Sequence, residues 1–553
     1  MYPDLRGKSV EEQVEFLTNK LVALQSYNGT EGENKKADWL IELLKTFPYF
    51  KNHPDLVWSQ TIHDDPLGRK NVFALIKKDH STRKTIVYNA HYDTVGTEDF
   101  GPLQDIAHDH DKLQKYFSNY EADQEVQNDA LSGEWFFGRG ALDMQSGIAV
   151  HLVNLLYFME NPQELPGNLL VMLNPDEESQ HTGIRGSLRE LVRLRDEHSL
   201  QYVAAINNDF ISPLFDGDDQ KYIYTGTAGK LLPCFYIFGR EAHVGDSLSA
   251  IDPTLISSEL NLRIGQNFDL VEPISDELVL PPSCLFLRDD KKSYDVQTAV
   301  SAKLYFNYFV YEKSPKEVLL HLKEIAEDVC KEFGHRQQEQ YKRFRKANRL
   351  PERDLDWTIE VTTLEEHIKY LRELGIEASE VINDALKKVD RDESDDRLIA
   401  FQLVEALHFA DPEKKPRVIM FYAPPFLPAN FLSENHESGA VIYNKIRREL
   451  AFTEAETKEV FKLRKYFPYL SDGSFLSFNG SEGEIRSLKD NFPAMDTLFP
   501  VPLEEMKRLN IPALNFGVYG KGGHKWTERV YKPYSFKVLP LLIRRVTKSL
   551  LED

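Results

Sequence analysis

Apolar residues recur at helical spacing over residues 10–24, at Val10, Val14, Leu17, Leu21 and Leu24. That period predicts an amphipathic helix. Ser9 is its expected N-cap, with Glu12 as the capping-box partner. A second helix is predicted over 34–47. Short, nearly continuous apolar runs follow at 71–77, 85–90, 168–174 and 202–207. Runs of this length between polar turns read as buried strands. Helical patterns at 146–160 and 184–195 lie among them. Strands alternating with helices predict an α/β fold with a mainly parallel central sheet flanked by helices.

The pattern changes near Thr225. A strand at 231–238, a helix at 253–264, an alternating stretch at 297–311 and a long helix at 315–340 predict a smaller α/β domain inserted into the first. Residues 335–356 are basic and polar; 364–410 carry helical patterns with an acidic turn at 390–396. Strand-like runs return at 417–423 and 513–518. The expected organisation is a main domain over 1–225 and 416–553, an inserted α/β domain over 226–350, and extra helices over 351–415.

Composition narrows the reading. The chain has 553 residues, 41% of them hydrophobic and 28% charged, a balance that excludes a mostly disordered protein. Its formal net charge of −21 repels phosphate backbones and argues against a nucleic-acid partner. Three cysteines, Cys234, Cys284 and Cys330, are too few and too scattered for a disulfide framework or a thiolate zinc site. The first residues are acidic where a signal peptide is basic, and no apolar run approaches the roughly 18–20 residues of a spanning helix. A cytoplasmic protein with no membrane partner is expected.

The candidate chemistry lies just after the predicted strands. His91-Tyr92-Asp93 follows the run at 85–90, where an imidazole can bind a metal and a nearby carboxylate can orient it. Asp143 sits in the glycine-containing stretch GRGALDMQSG ahead of a helix. Asp176-Glu177-Glu178 follows the run at 168–174; adjacent carboxylates at a buried strand end need a cation to offset their repulsion. Asp209 follows the run at 202–207, and His524 the run at 513–518. Taken singly, each reads as well as a polar turn or a helix cap. Jointly, they form a set of oxygen and nitrogen donors without thiolate, which suits zinc, manganese or cobalt. One shared carboxylate would make the site binuclear, as in two-metal hydrolases.

These stretches also resemble a known family. HYDTVG (91–96), GRGALDMQSGIA (138–149), NPDEESQHTGIRG (174–186), NNDF (207–210), GREAHVG (239–245) and GKGGHKWTE (520–528) occur in the order found in the cocatalytic-zinc exopeptidases and amidohydrolases. That family includes aminoacylase, peptidase T, the carboxypeptidase G enzymes and succinyl-diaminopimelate desuccinylase. The segment TEDFG and the long polar stretch before GRG are most similar to its arginine-utilization RocB branch. The resemblance implies a zinc-exopeptidase-like catalytic domain with an inserted lid. It implies that His91, Asp143 and Asp209 hold one metal, and that Asp143, Glu178 and His524 hold the other. Asp93 would orient His91, Glu177 would be the general base, and His243 on the lid would bind the substrate carbonyl. Ser471-Asp472 falls where members carry a substrate-contacting segment. Gln145 departs from the pattern, which has a lysine there.

The expected function is metal-dependent hydrolysis of an amide bond in a small peptide or N-acyl amino acid, within arginine or amino-acid catabolism. Two divalent ions are expected, zinc first, with manganese and cobalt as alternatives. A homodimer is compatible with the family. The competing reading is a non-catalytic metal-binding or regulatory protein that keeps the hydrolase fold.

Overall fold

The computed structural model describes residues 2–78, 82–274, 277–389, 395–469 and 471–552. Of the acidic turn at 390–396, residues 390–394 lie outside them. The chain divides into two compact units: Met1–Ala228, Asn430–Phe478 and Pro502–Asp553 form the first, and Gly229–Ala429 with Asn479–Val501 the second.

The first unit is built on an eight-stranded sheet. Its strands run in the order Val57–Thr61, Lys70–Ile76, Asn168–Asn174, Lys84–His91, Gln201–Asn207, Ala513–Phe516, Lys221–Tyr224, Phe461–Arg464. The third to sixth strands of that order are mutually parallel, while antiparallel pairs flank them. The sheet is therefore mixed, with a parallel centre. Strand Asn168–Asn174 is buried along its whole length, and Lys84–His91 over all but its first residue. Burial on both faces explains why these runs are apolar rather than alternating.

Helix Ser146–Glu160 is buried from Ser146 to Leu156, as its continuous apolar pattern requires. Helix Val10–Ala23 starts at Ser9 with the capping box to Glu12 formed as expected. One hydrophobic cluster joins these helices, the sheet and the C-terminal helix Leu539–Leu551.

The second unit has a six-stranded sheet. Ser283–Asp289, Ser301–Val310, Pro233–Phe238, Arg417–Tyr422 and Glu360–Thr363 are neighbours in that order, and Gly229–Leu231 joins the far end of Ser301–Val310. One difference from the sequence reading appears here, in the domain boundary. Arg417–Tyr422 was grouped with the main domain, yet it pairs antiparallel with Pro233–Phe238. The extra helices, Leu364–Glu373, Ala378–Leu386 and Asp396–Ala410, pack with this sheet in one core. The boundary thus falls at Ala429, and 479–501 also returns to this unit. A buried strand shows where it lies along the chain, but its pattern does not name the sheet that receives it. Among the described residues, no helix is long and apolar enough to cross a membrane.

Candidate metal centre

Parallel pairing puts the carboxyl ends of the four central strands at one edge. Register aligns His91 with Asn174, and Asn89 with Asn207, which in turn pairs with Asn515. The residues just beyond these ends therefore converge, as at ligand sites of open α/β sheets.

Asp143 is the hub. Its Oδ1 is 3.0 Å from Nε2 of His91, and its Oδ2 is 2.9 Å from Nε2 of His524. Oε1 of Glu178 lies 3.2 Å from the same His524 nitrogen. Ligand atoms of His91, Asp143 and Asp209 lie within 4.8 Å of one another, as do those of Asp143, Glu178 and His524. His91, Asp143 and Asp209 are buried, whereas the His524 side chain is 49% exposed.

Asp93 is fully buried. Its carboxylate accepts the backbone N–H groups of Glu177 and Glu178, both at 3.1 Å, and the side-chain amide of Asn28 at 3.0 Å. Nδ1 of His91 lies 3.2 Å from the Asp93 carbonyl and 3.5 Å from its carboxylate. Asp93 thus anchors the Glu177-Glu178 turn as well as bordering His91.

Electrostatics describe a pocket poised for cations. Burial pushes the carboxyls of Glu177, Glu178 and Asp209 above their usual range, and neighbouring carboxylates add to the rise. Burial opposes charge on Asp143 too, but hydrogen bonds from His524 and His91 outweigh it and hold its carboxyl low. Hydrogen bonding to Asp143 and then Glu178 pushes His524 up to about 11. Oε1 of Glu178 is buried, and His524 is the partner it faces. Several buried carboxylates and two imidazoles, without thiolate, fit divalent metal ions of the zinc type.

Other residues set this geometry. Oε1 of Glu528 accepts the N–H groups of Leu142 and Asp143 at 2.9 and 3.2 Å. Its other oxygen pairs with Arg139 at 2.7 Å, and Arg139 bonds Asp99 and the Gly96 carbonyl. Glu528 and Arg139 lie inside two quoted stretches, GKGGHKWTE and GRGALDMQSGIA, so a signal was present without a role attached. Lys36 had no such signal. Its buried Nζ bonds Gln145 at 2.9 Å and the Leu21 carbonyl at 2.8 Å. Gln145 in turn donates to the Tyr92 carbonyl at 3.2 Å. The amine missing at position 145 thus arrives from helix Glu31–Lys45. Burial pulls Lys36 down to about 7.

A further buried network backs the Glu177 turn. Arg69 pairs with Asp176 at 2.8 Å, Asp65 at 2.7 Å and Glu33 at 3.4 Å. Glu33 accepts the Asp176 N–H at 3.1 Å. His243 lies in the second unit, exposed. Its Nδ1 accepts the Gly245 N–H at 3.0 Å, which leaves the ring proton on Nε2.

The profile of Peptidase family M28 matches residues 71–231, which carry His91, Asp143, Glu177, Glu178 and Asp209. Fold, site and family match together define a metallopeptidase. The chain belongs to the family of Protein RocB of Bacillus subtilis (strain 168): the two are 52% identical over 552 residues, covering 100% of this chain and 97% of that protein. A second protein of that organism, YqjN, is 32% identical over 558 residues, covering 99% and 98%. Among solved structures, a tripeptidase from Staphylococcus aureus shares the fold with a TM-score of 0.51 and 14% identity, over 98% of this chain and 99% of that one. Aminopeptidase PepT from Bacillus cereus gives a TM-score of 0.50 and 12% identity, over 98% and 99%.

Proposed function

We propose that this metallopeptidase hydrolyses an amide bond of a small peptide or N-acyl amino acid, using two zinc ions, with manganese or cobalt able to substitute. The observation that carries the reading is Asp143, whose two carboxylate oxygens face one histidine each. His91, Asp143 and Asp209 would hold one ion, and Asp143, Glu178 and His524 the other. When bound, such ions supply an acidified water near neutral pH and a polarised carbonyl.

The chain's own residues do the rest. Glu177, beside the ligands and partly open to solvent, takes the proton of the attacking water and returns it to the leaving amine. Asp93 holds the backbone of Glu177 and Glu178, so base and ligand keep a fixed separation. His243, with its proton on Nε2, is suited to donate to the carbonyl oxygen as charge develops there. The arginine-catabolism setting and a cytoplasmic place rest on likeness to the RocB branch and on composition. A homodimer and the absence of nucleic-acid or membrane partners belong to the same proposal.

The test is amine release by untagged protein loaded in turn with zinc, manganese or cobalt. Dipeptides and N-acyl amino acids, including arginine and ornithine derivatives, form the panel. Metal-dependent release is expected, and Glu177→Gln should lower it by roughly 10²–10⁴-fold while keeping both ions. No release from any substrate by protein holding two ions would overturn the proposal.

A further inference from the structure

A third group of metal-type ligands lies beside the two that share Asp143. Ligand atoms of Glu177, His181 and Asp472 also fall within 4.8 Å of one another. They come from separate places. Glu177 follows strand Asn168–Asn174, His181 caps helix Thr182–His198, and Asp472 opens the short turn Asp472–Leu476. His181 and Asp472 are each only 2% exposed. Nδ1 of His181 is 3.0 Å from Oδ1 of Asp472. The His91–Asp143 and His524–Asp143 pairs have the same spacing, 3.0 and 2.9 Å. Ligand atoms about 2.0–2.1 Å from a tetrahedral ion sit roughly 3.3 Å apart, so little opening is needed.

A second observation points to a ligand. Oδ2 of Asp472 is buried and has no hydrogen-bond partner. A buried carboxylate oxygen left without a donor is costly, and such exceptions call for a missing partner. The donor set is one imidazole and two carboxylates. That mixture suits a zinc-type ion better than an ammonium group, which needs acceptors only.

The geometry points to a third divalent-cation site at Glu177, His181 and Asp472, filled only in excess metal and closing the active site when filled. It fills last because a neighbouring pair of dications repels another. Nδ1 of His181 and Oδ1 of Asp472 face each other in one hydrogen bond, which an ion held by both atoms would replace. The consequence rests on the proposed role of Glu177: a carboxylate committed to an ion no longer takes a proton from water. Excess metal therefore inhibits through this site.

Zinc bound per chain is measured on untagged protein across a buffered zinc series, alongside hydrolysis of the best substrate. Wild type is expected to pass from two ions to three, and activity to fall roughly tenfold when free zinc reaches about ten times the third dissociation constant. His181→Gln and Asp472→Asn should stop at two ions and lose this high-zinc decline, relative to each variant's own maximum. Thermal melts identify a variant that fails to fold; the other then decides. A cobalt(II) titration of wild type should show a third absorption component, a readout that needs no variant. Saturation at two ions, or a third ion retained by both folded variants, overturns the inference. Three ions bound, with no hydrolysis of any substrate even when only two are bound, would leave the site standing and sink the proposed function. Hydrolysis with two ions and no decline at high zinc would do the reverse.

Discussion

Asp143 and Glu528 act as a pair at the residue scale. Asp143 faces both histidines, and Glu528 holds its backbone through two N–H groups. Burial raises the Glu528 carboxyl to about 7, with Arg139 opposing the rise. Glu528→Gln keeps the shape and removes the charge that faces Arg139. We expect metal affinity to fall by roughly 10–100-fold, the usual cost of losing a partner that orients a ligand. Competition with a chromophoric chelator measures this; unchanged affinity would show that the Asp143 loop holds itself. His524→Ala should release one ion of the pair and leave the other, since the His91–Asp143–Asp209 set remains. Ion counting by elemental analysis checks that outcome.

Helix Ser146–Glu160 meets the loop that carries Asp209 at the element scale. A Cβ placed on Gly147 would sit 2.6 Å from Oδ1 of Asn208 and 2.7 Å from its carbonyl oxygen. Asn208 also donates to the Gly147 carbonyl at 2.6 Å. No side chain fits between a helix and a strand end this close. Gly147→Val should push the Asp209 loop outward, cost about 1–3 kcal/mol as other overpacking does, and weaken the metal set that includes Asp209. A melt of metal-free protein separates the packing cost from lost metal. The turn after strand Asn168–Asn174 depends on Arg69 in the same way. Arg69→Ala leaves Glu33, Asp65 and Asp176 buried without their cation. We expect about 3–5 kcal/mol of destabilisation in denaturant titration; a loss below 1 kcal/mol would mean that the turn does not depend on Arg69.

Buried histidines tie stability to pH on the scale of the whole molecule. Burial, aided by the charge of Arg417, holds His367 and His408 neutral, each near pKa 4. Burial lowers His151 in the first unit to about 3. Unfolded imidazoles titrate near 6.5. Below that pH the unfolded chain binds protons that the folded chain refuses, so stability falls as pH drops. The contribution of His367 and His408 is complete above about pH 6.5 and lost by about pH 4. The slope is up to roughly 1.4 kcal/mol per pH unit for each. Denaturant titrations of metal-free protein at pH 7 and pH 5 should show the decline. A double His367→Gln, His408→Gln variant should flatten it, and an unchanged slope would assign acid sensitivity elsewhere.

Local pattern determined the elements and the donor types. Helices Ser146–Glu160 and Pro253–Ile264 and strand Asn168–Asn174 stand within the limits their apolar periods set, because periodicity is a property of neighbouring positions. His91, Asp143, Glu178, Asp209 and His524, which the fold brings together, were legible as candidates because each lies at or beyond a strand end or in a glycine turn. Short edge strands such as Val57–Thr61 and Phe461–Arg464, which alternate or lie half-exposed, escaped that reading. Tertiary structure alone decided the partners. Lys36 meets Gln145 across 109 positions, Arg139 meets Glu528 across 389, and His181 meets Asp472 across 291. It also decided that Arg417–Tyr422 serves the second sheet. Such pairings depend on which strands lie side by side, and a carboxylate or an amine looks the same in sequence whether water or a buried counter-charge will face it.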